Sequence, residues 1–272
     1  MAKRKKKRRP TMAERADRHD LYERSVQSVE DEVGFLEETY ASIRGRKPRV
    51  LREDFCGTAG LACQWVRTNR LHRAIGVDID GEVLEWGRER HVMQLSEKQR
   101  ERVRLLCGDV LSARPERADL IVALNFSYWV FKTRARLRDY FKAARRGLGE
   151  DGLFILDIFG GTEAFDECEE KTRYKGFTYV WDQARYDPIT GDYLCHIHFR
   201  FPDGSSLEPA FSYEWRLWTL PEVRELLDEA GFRRSTVYWQ GEDEDGEASG
   251  EFSPVDRGEA DPAWIAYVVA GR

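Results

Sequence analysis

A chain of 272 residues can bury a sizeable core, and one domain with a substantial insertion fits that length as well as two domains do. Hydrophobic content is an ordinary 41 %, and no apolar run approaches the roughly 20 residues needed to cross a bilayer, so no membrane partner is expected. Net charge is −5, yet residues 3–9 alone carry +7, which leaves −12 on the remainder and argues against a large phosphate-binding face on the body of the protein.

The basic run Lys3-Arg4-Lys5-Lys6-Lys7-Arg8-Arg9-Pro10 has no apolar stretch behind it and does not read as a secretory signal. It reads as a disordered, solvated tail over residues 1–10, with nucleic-acid docking as the alternative use of its charge. The five cysteines are scattered and none forms a C-x-x-C pair, so neither a zinc site nor a disulfide framework is expected, and a cytoplasmic location is the natural reading.

In residues 11–46, Leu21, Tyr22, Val26, Val29, Val33, Leu36 and Tyr40 recur mostly at intervals of three or four, which predicts a cap of one or two helices ending near Gly45. A regular alternation follows over residues 47–160. Strands are predicted at Val50-Leu51, Ala74–Val77, Val103–Leu106, Leu120–Leu124 and Leu153–Leu156, with helices through Trp65-Val66, over Val83–His91 and over Arg136–Leu148. Strand–helix units at this spacing predict an α/β fold, a doubly wound, Rossmann-like and mainly parallel sheet. Between residues 161 and 218 the period changes. Segments Phe177–Tyr186, Tyr193–Phe201 and Leu207–Trp218, separated by Asp187–Asp192 and Pro202–Ser205, predict an inserted antiparallel β-meander. In residues 219–272, an amphipathic helix over Pro221–Ala230 ends at Gly231, and strands at Ser235–Trp239 and Trp264–Ala270 close the sheet, the last one antiparallel.

The chemistry is concentrated at the turn after the first strand. Glycine there lets backbone N–H groups approach a ligand, and Asp78, about 20 positions after Gly57 at the end of the second strand, suits a ribose. Asp78 and Asp109 also suit a turn and a helix cap, but their joint placement after successive strands points to a nucleotide-type site. NAD is the competing cofactor on this evidence; the third glycine that dinucleotide sites use for strand–helix packing is only partly matched by Ala59 or Gly60, and no second phosphate clamp is present.

The segment Val50-Leu51-Arg52-Glu53-Asp54-Phe55-Cys56-Gly57-Thr58-Ala59-Gly60 resembles the first motif of class I S-adenosylmethionine-dependent methyltransferases, commonly V-L-D-L-G-C-G-T-G. Gly76-Val77-Asp78, Cys107-Gly108-Asp109-Val110 and Gly152–Asp157 resemble the motifs of the following strands, and the meander is similar to the lid of sugar-amine and glycine-type N-methyltransferases. The resemblance implies S-adenosylmethionine as cofactor and a small-molecule acceptor. It places Gly57 and Glu53 near the methionine portion, Asp78 at the ribose, Asp109 and Val110 at the adenine, and Tyr22 over the cofactor. Phe55 and Ala59 stand where the motif has its first and third glycines, and Phe55 is compatible with binding if its side chain points away from the site.

Methyl transfer by direct displacement needs alignment more than a catalytic apparatus. Asn125 and Tyr128, after the fourth strand, and Asp157, ending the fifth, are the candidates facing the transferred methyl. From the meander and its exit, Trp181, His196 and Arg216 are the candidates for acceptor binding, with a stacked, structural role for Arg216 as the alternative. His196 and His198 share a strand face but lack a third ligand, so no metal is expected. Exposed meander edges give a possible homodimer contact. The alternative function is RNA or protein methylation docked through the basic tail, and a non-enzymatic scaffold follows if Phe55 blocks the cofactor.

Overall fold

The computed structural model describes residues 8–242 and 248–272; residues 3–7 of the basic tail and 243–247 of the acidic stretch Glu242–Glu247 lie outside the described residues. The chain divides into two units: the described residues up to Gln27 together with Asp166–Trp215, and Ser28–Phe165 together with Arg216–Arg272.

The larger unit begins with helix α3 (Val29–Arg44), preceded in the chain by α1 (Met12–Arg15) and α2 (Arg18–Val26) of the other unit. Gly45 ends α3 at φ 66°, its N–H donating to Ala41, as a left-handed C-cap requires. There follow β1 (Val50–Asp54), α4 (Gly60–Thr68), β2 (Arg73–Asp78), α5 (Gly81–Arg90), the short α6 (Glu97–Arg100), β3 (Val103–Cys107), β4 (Ala118–Ala123), α7 (Arg134–Gly147) and β5 (Leu148–Gly160). After the insertion come α8 (Leu220–Glu229), β10 (Arg234–Glu242), β11 (Ala248–Val255) and β12 (Trp264–Gly271). The sheet order is β11-β10-β12-β5-β4-β1-β2-β3. Strands β3, β2, β1, β4 and β5 are parallel, and β12, β10 and β11 add antiparallel strands at one edge. The fold class expected from the strand–helix alternation is therefore observed, with the last strand antiparallel.

The strand order fixes where a ligand can bind. The chain leaves β1 toward β2 on one side and returns as β4 on the other, which opens a crevice outside the carboxyl ends of β1 and β4. Side-chain parity sets the two faces. Leu51, Val122, Ile155 and Val269 join Val33, Leu36 and Tyr40 of α3 in one apolar cluster, so Glu53, Asp157 and Tyr267, on the same parity, end on that face.

Helix α5 packs closely on the turn after β1. A Cβ at Gly87 would lie 2.2 Å from the Thr58 carbonyl oxygen, so only glycine permits that approach. Gly87→Ala is expected to destabilise the protein by about 1–3 kcal/mol, read as a lowered urea midpoint at unchanged slope. An unchanged midpoint would show that the helix yields without cost.

In the other unit, β6 (Cys168–Tyr174), β7 (Phe177–Tyr186), β8 (Asp192–Arg200) and β9 (Ser206–Arg216) form a four-stranded sheet in that order. Three of these strands match the expected meander; β6 is additional. Leu21, Phe177, Ile197, Phe199, Phe201 and Ala210 form its core. Helix α1 is held to the β8–β9 turn by Met12 N–H to Asp203 (2.8 Å) and Ala13 N–H to the Ser205 hydroxyl (3.0 Å). The expected cap over residues 11–46 is thus divided: α1 and α2 belong with the antiparallel sheet and α3 with the parallel one.

Candidate active site

The turn after β1 is built on three left-handed residues, Phe55 (φ 59°), Gly57 (φ 51°) and Ala59 (φ 58°). The two that replace motif glycines keep the glycine-type backbone, at a cost of roughly 1–2 kcal/mol each for an L-residue. Phe55 turns its ring toward Phe131 (6.0 Å between centroids) and Tyr140 (5.5 Å), both edge-on, so it packs in an aromatic cluster. A Cβ built on Gly57 would meet nothing within 4 Å. Beside it, the Thr58 hydroxyl oxygen is buried and has no hydrogen-bond partner among the described residues.

Asp78 closes this turn. Its carboxylate accepts from Gly57 N–H at 2.8 Å and from Asp80 N–H at 2.9 Å. Ile79 follows it with 74 % of its surface exposed, an apolar side chain beside the crevice that the sequence analysis missed. Asp109 accepts from Leu111 N–H at 2.9 Å, so it does cap the turn after β3. The neighbouring Val110 is buried, and its carbonyl accepts from Arg52 at 3.3 Å. Arg52 is itself buried and paired with Asp54 at 2.7 Å, while Tyr140 donates to the other Asp54 oxygen at 3.0 Å. The loop after β3, β1 and α7 are thereby held by one buried polar network.

Glu53 accepts from Ala62 N–H at 3.0 Å, which caps α4 from within the sheet. Burial raises its pKa well above the usual carboxylate range, and the charge of Glu32 adds to this. Glu32, on the first turn of α3, is pushed up to about 7, mainly by burial. The sequence offered no signal for Glu32 beyond its place on a helix; only the fold brings α3 over the ends of β1 and β5.

At the end of β4, Asn125 (φ 56°) and Phe126 (φ 57°) are two successive left-handed residues. Asp157 stabilises them: one oxygen accepts from Asn125 N–H at 2.6 Å and the other from Phe126 N–H at 2.9 Å. Burial raises Asp157 to about 7, against those two hydrogen bonds and with the charge of Glu32 adding. Asp157 thus acts on the backbone that presents Asn125. Tyr128 departs from expectation. The short 3-10 turn Ser127–Val130 folds it into the core, where it has 0 % exposure and donates to the Asp157 carbonyl at 3.0 Å, so it does not face the crevice.

Among the acceptor candidates, Arg216 binds Glu222 at 3.0 Å and lies 3.9 Å from the Trp218 ring centre, the stacked structural role rather than an open clamp. His196 bonds Ser212 at 2.9 Å, and Trp181 lies 6.3 Å from Tyr213 and 6.2 Å from Trp215. Tyr22 packs on Phe211 at 5.3 Å. These three residues belong to the antiparallel unit, and the residues at the strand ends belong to the other. Among the described residues no group of three or more His, Cys, Asp or Glu could hold a metal ion, and no helix is long and apolar enough to cross a membrane.

Comparison with known proteins agrees with this geometry. Residues 54–156, from the end of β1 to β5, match the family described as "Methyltransferase domain". No curated protein matches the chain. Among solved structures, the chain is similar to an S-adenosylmethionine-dependent methyltransferase from Clostridium acetobutylicum, at TM-score 0.65 and 17 % identity over 92 % of this chain and 96 % of that one. It is equally similar to an amino pentose methyltransferase from Micromonospora echinaspora, solved with S-adenosylmethionine bound (TM-score 0.65, 16 % identity, 93 % and 95 % covered). A sugar N-methyltransferase from Streptoalloteichus matches at TM-score 0.61 and 16 % identity over 100 % of this chain and 98 % of that one. Such identities speak for the fold, and the family match speaks for the segment that builds the crevice. Residues 54–156 thus match the methyltransferase domain family, and the chain has the fold of these S-adenosylmethionine-dependent methyltransferases.

Proposed function

We propose that the chain moves a methyl group from S-adenosylmethionine to a small-molecule acceptor at the carboxyl ends of β1, β4 and β5, with the antiparallel insertion as its lid, a role that rests on the resemblance of the meander. The observation that carries this reading is the open turn at Gly57, flanked by the unpartnered Thr58 hydroxyl and closed by Asp78. When bound, the cofactor supplies a methyl group made electrophilic by its sulfonium. Gly57 leaves room for the methionine portion, and the Thr58 hydroxyl has a free donor for it. The Asp78 oxygens keep lone pairs for ribose hydroxyls, and Ile79 offers an apolar surface to the adenine, with Asp109 and Val110 at its edge. Asn125 is held by Asp157 where an acceptor would approach, and this alignment is the main contribution the protein makes to the displacement. The similar solved structures include an amino pentose methyltransferase, a sugar N-methyltransferase and a glycopeptide N-methyltransferase, which makes amines the first acceptors to screen.

The carboxyl groups of Glu32, Glu53 and Asp157 give this reading a test. Glu32 and Asp157, both raised to about 7, are partly protonated near pH 7, Glu53 is shifted in the same direction, and a cation bound beside them favours their ionised forms. Binding of S-adenosylmethionine at pH 7 is therefore expected to release protons. Calorimetric titration in buffers of different ionisation enthalpy should show a buffer-dependent heat corresponding to about one proton or less, smaller for the demethylated product, which lacks the sulfonium. Heats independent of buffer would detach these carboxyl groups from the cofactor.

A further inference from the structure

A second cavity lies on the opposite face of the large sheet. Along β10, Ser235, Val237 and Trp239 share one parity, while Tyr238 pairs with Tyr267, which pairs with Asp157 on the α3 side. The first three side chains therefore point away from the face that carries Glu53 and Asp157. Together with α8 and the residues after β11 they line a groove of about 410 Å³. Two strands, β12 and β5, separate β10 from β4. At the arginine-bearing end, Arg234 pairs with Gly271, and Gly271 with Leu153, so this end sits at the amino ends of the parallel strands, away from the crevice.

Three arginines line the groove on this face, Arg224 on α8, Arg233 at the entry to β10 and Arg257 after β11, whereas Arg234 shares the parity of Tyr238 and turns its side chain to the α3 side. The chain outside its basic tail is strongly acidic, and several of its other surface arginines are paired: Arg73 with Glu116, Arg134 and Arg138 with Glu229, and Arg200 with Glu169 and Glu208. Arg233 and Arg257 have no ion pair among the described residues, although Asp228 and Asp256 also line the groove. Arg224 makes a single 3.3 Å contact to the Ser235 hydroxyl. Three planar, permanently charged guanidinium groups lining one cavity suit the oxygen geometry of phosphate. Val237, Val255 and the edge of Trp239 supply an apolar floor, and the volume is at the small end of the range for ligand sites.

We propose that this groove is a binding site for a small phosphorylated molecule whose phosphates are held by Arg224, Arg233 and Arg257. The site is independent of the methyl-transfer crevice, and binding there requires no cofactor.

The test is calorimetric titration of the full chain with inorganic pyrophosphate, ADP and adenosine. The runs are repeated with S-adenosylhomocysteine present, since ADP shares its adenosine with the cofactor. The pyrophosphate arm stands whether or not the crevice binds its own ligand. Saturable one-to-one binding of pyrophosphate is expected, weakened at least tenfold in an Arg233→Ala/Arg257→Ala variant. Both side chains are exposed, so the variant should fold, as circular dichroism would check. Tighter binding of ADP than of pyrophosphate, with adenosine inert, would assign the phosphates to a nucleotide; equal binding would assign them to the phosphate groups alone. Absence of saturable binding, or equal binding by the variant, would overturn the proposal. So would a single-stranded RNA of 20 nucleotides, taken as about the span of a basic surface track, that binds more tightly than pyrophosphate and loses affinity in the same variant.

Discussion

Asp78→Ala is expected to weaken binding of S-adenosylmethionine by roughly 10- to 150-fold, the equivalent of about 1.5–3 kcal/mol for hydrogen bonds to a charged group. Two losses combine in that figure. The carboxylate anchors Gly57 N–H at 2.8 Å and Asp80 N–H at 2.9 Å, so its removal frees the turn that must stay open beside the ligand. It also removes the acceptors assigned to the ribose. Asp78→Asn separates the two, because the amide keeps one acceptor oxygen for a backbone N–H and presents an amino group elsewhere. If the ribose contact dominates, the asparagine variant should keep the stability of the wild type while binding nearly as weakly as the alanine variant. Unchanged affinity in both variants would remove Asp78 from the site.

The largest effect on stability is expected from Asp54→Ala. Arg52 and Asp54 are each 1 % exposed and pair at 2.7 Å within the sheet, and Tyr140 completes the pair from α7. Burial pushes the Asp54 carboxyl up, while Arg52 and the Tyr140 hydroxyl oppose that shift. Removing Asp54 leaves a guanidinium in the core with no counter-charge, at a cost of about 3–5 kcal/mol. Urea unfolding measures it directly, and the exposed Arg73–Glu116 pair is the control, with a loss of about 1 kcal/mol or less. A double variant, Arg52→Met/Asp54→Leu, should recover most of the loss, since the charges then leave together. Equal losses from the single and double variants would show that packing, not charge, sets the cost.

The sequence made the parallel part of the sheet legible because each of its strands is a short apolar run followed by a helix-period segment, as at Ala74–Val77 and Val83–His91. Two strands escaped it for one physical reason. β6 reads Cys168-Glu169-Glu170-Lys171-Thr172-Arg173-Tyr174, and β11 opens with Ala248-Ser249-Gly250-Glu251; both are edge strands with a largely exposed, polar surface, so neither carries an apolar period. The turns that carry Gly57, Asp78 and Asp109 after successive strands were legible from spacing. Phe55 was not, because its left-handed backbone and the aromatic cluster that receives its ring depend on α7 and Phe131. Glu32 and the buried position of Tyr128 are likewise products of tertiary packing. The task of Asp157, which bonds two backbone amides 31 and 32 residues away, has no local signature.

The most direct measurement is calorimetric titration of the purified chain with S-adenosylmethionine and with its demethylated product. Saturable one-to-one binding of both is the result this account predicts. A well-folded protein that binds neither would contradict it, and would leave the open turn at Gly57 without its ligand.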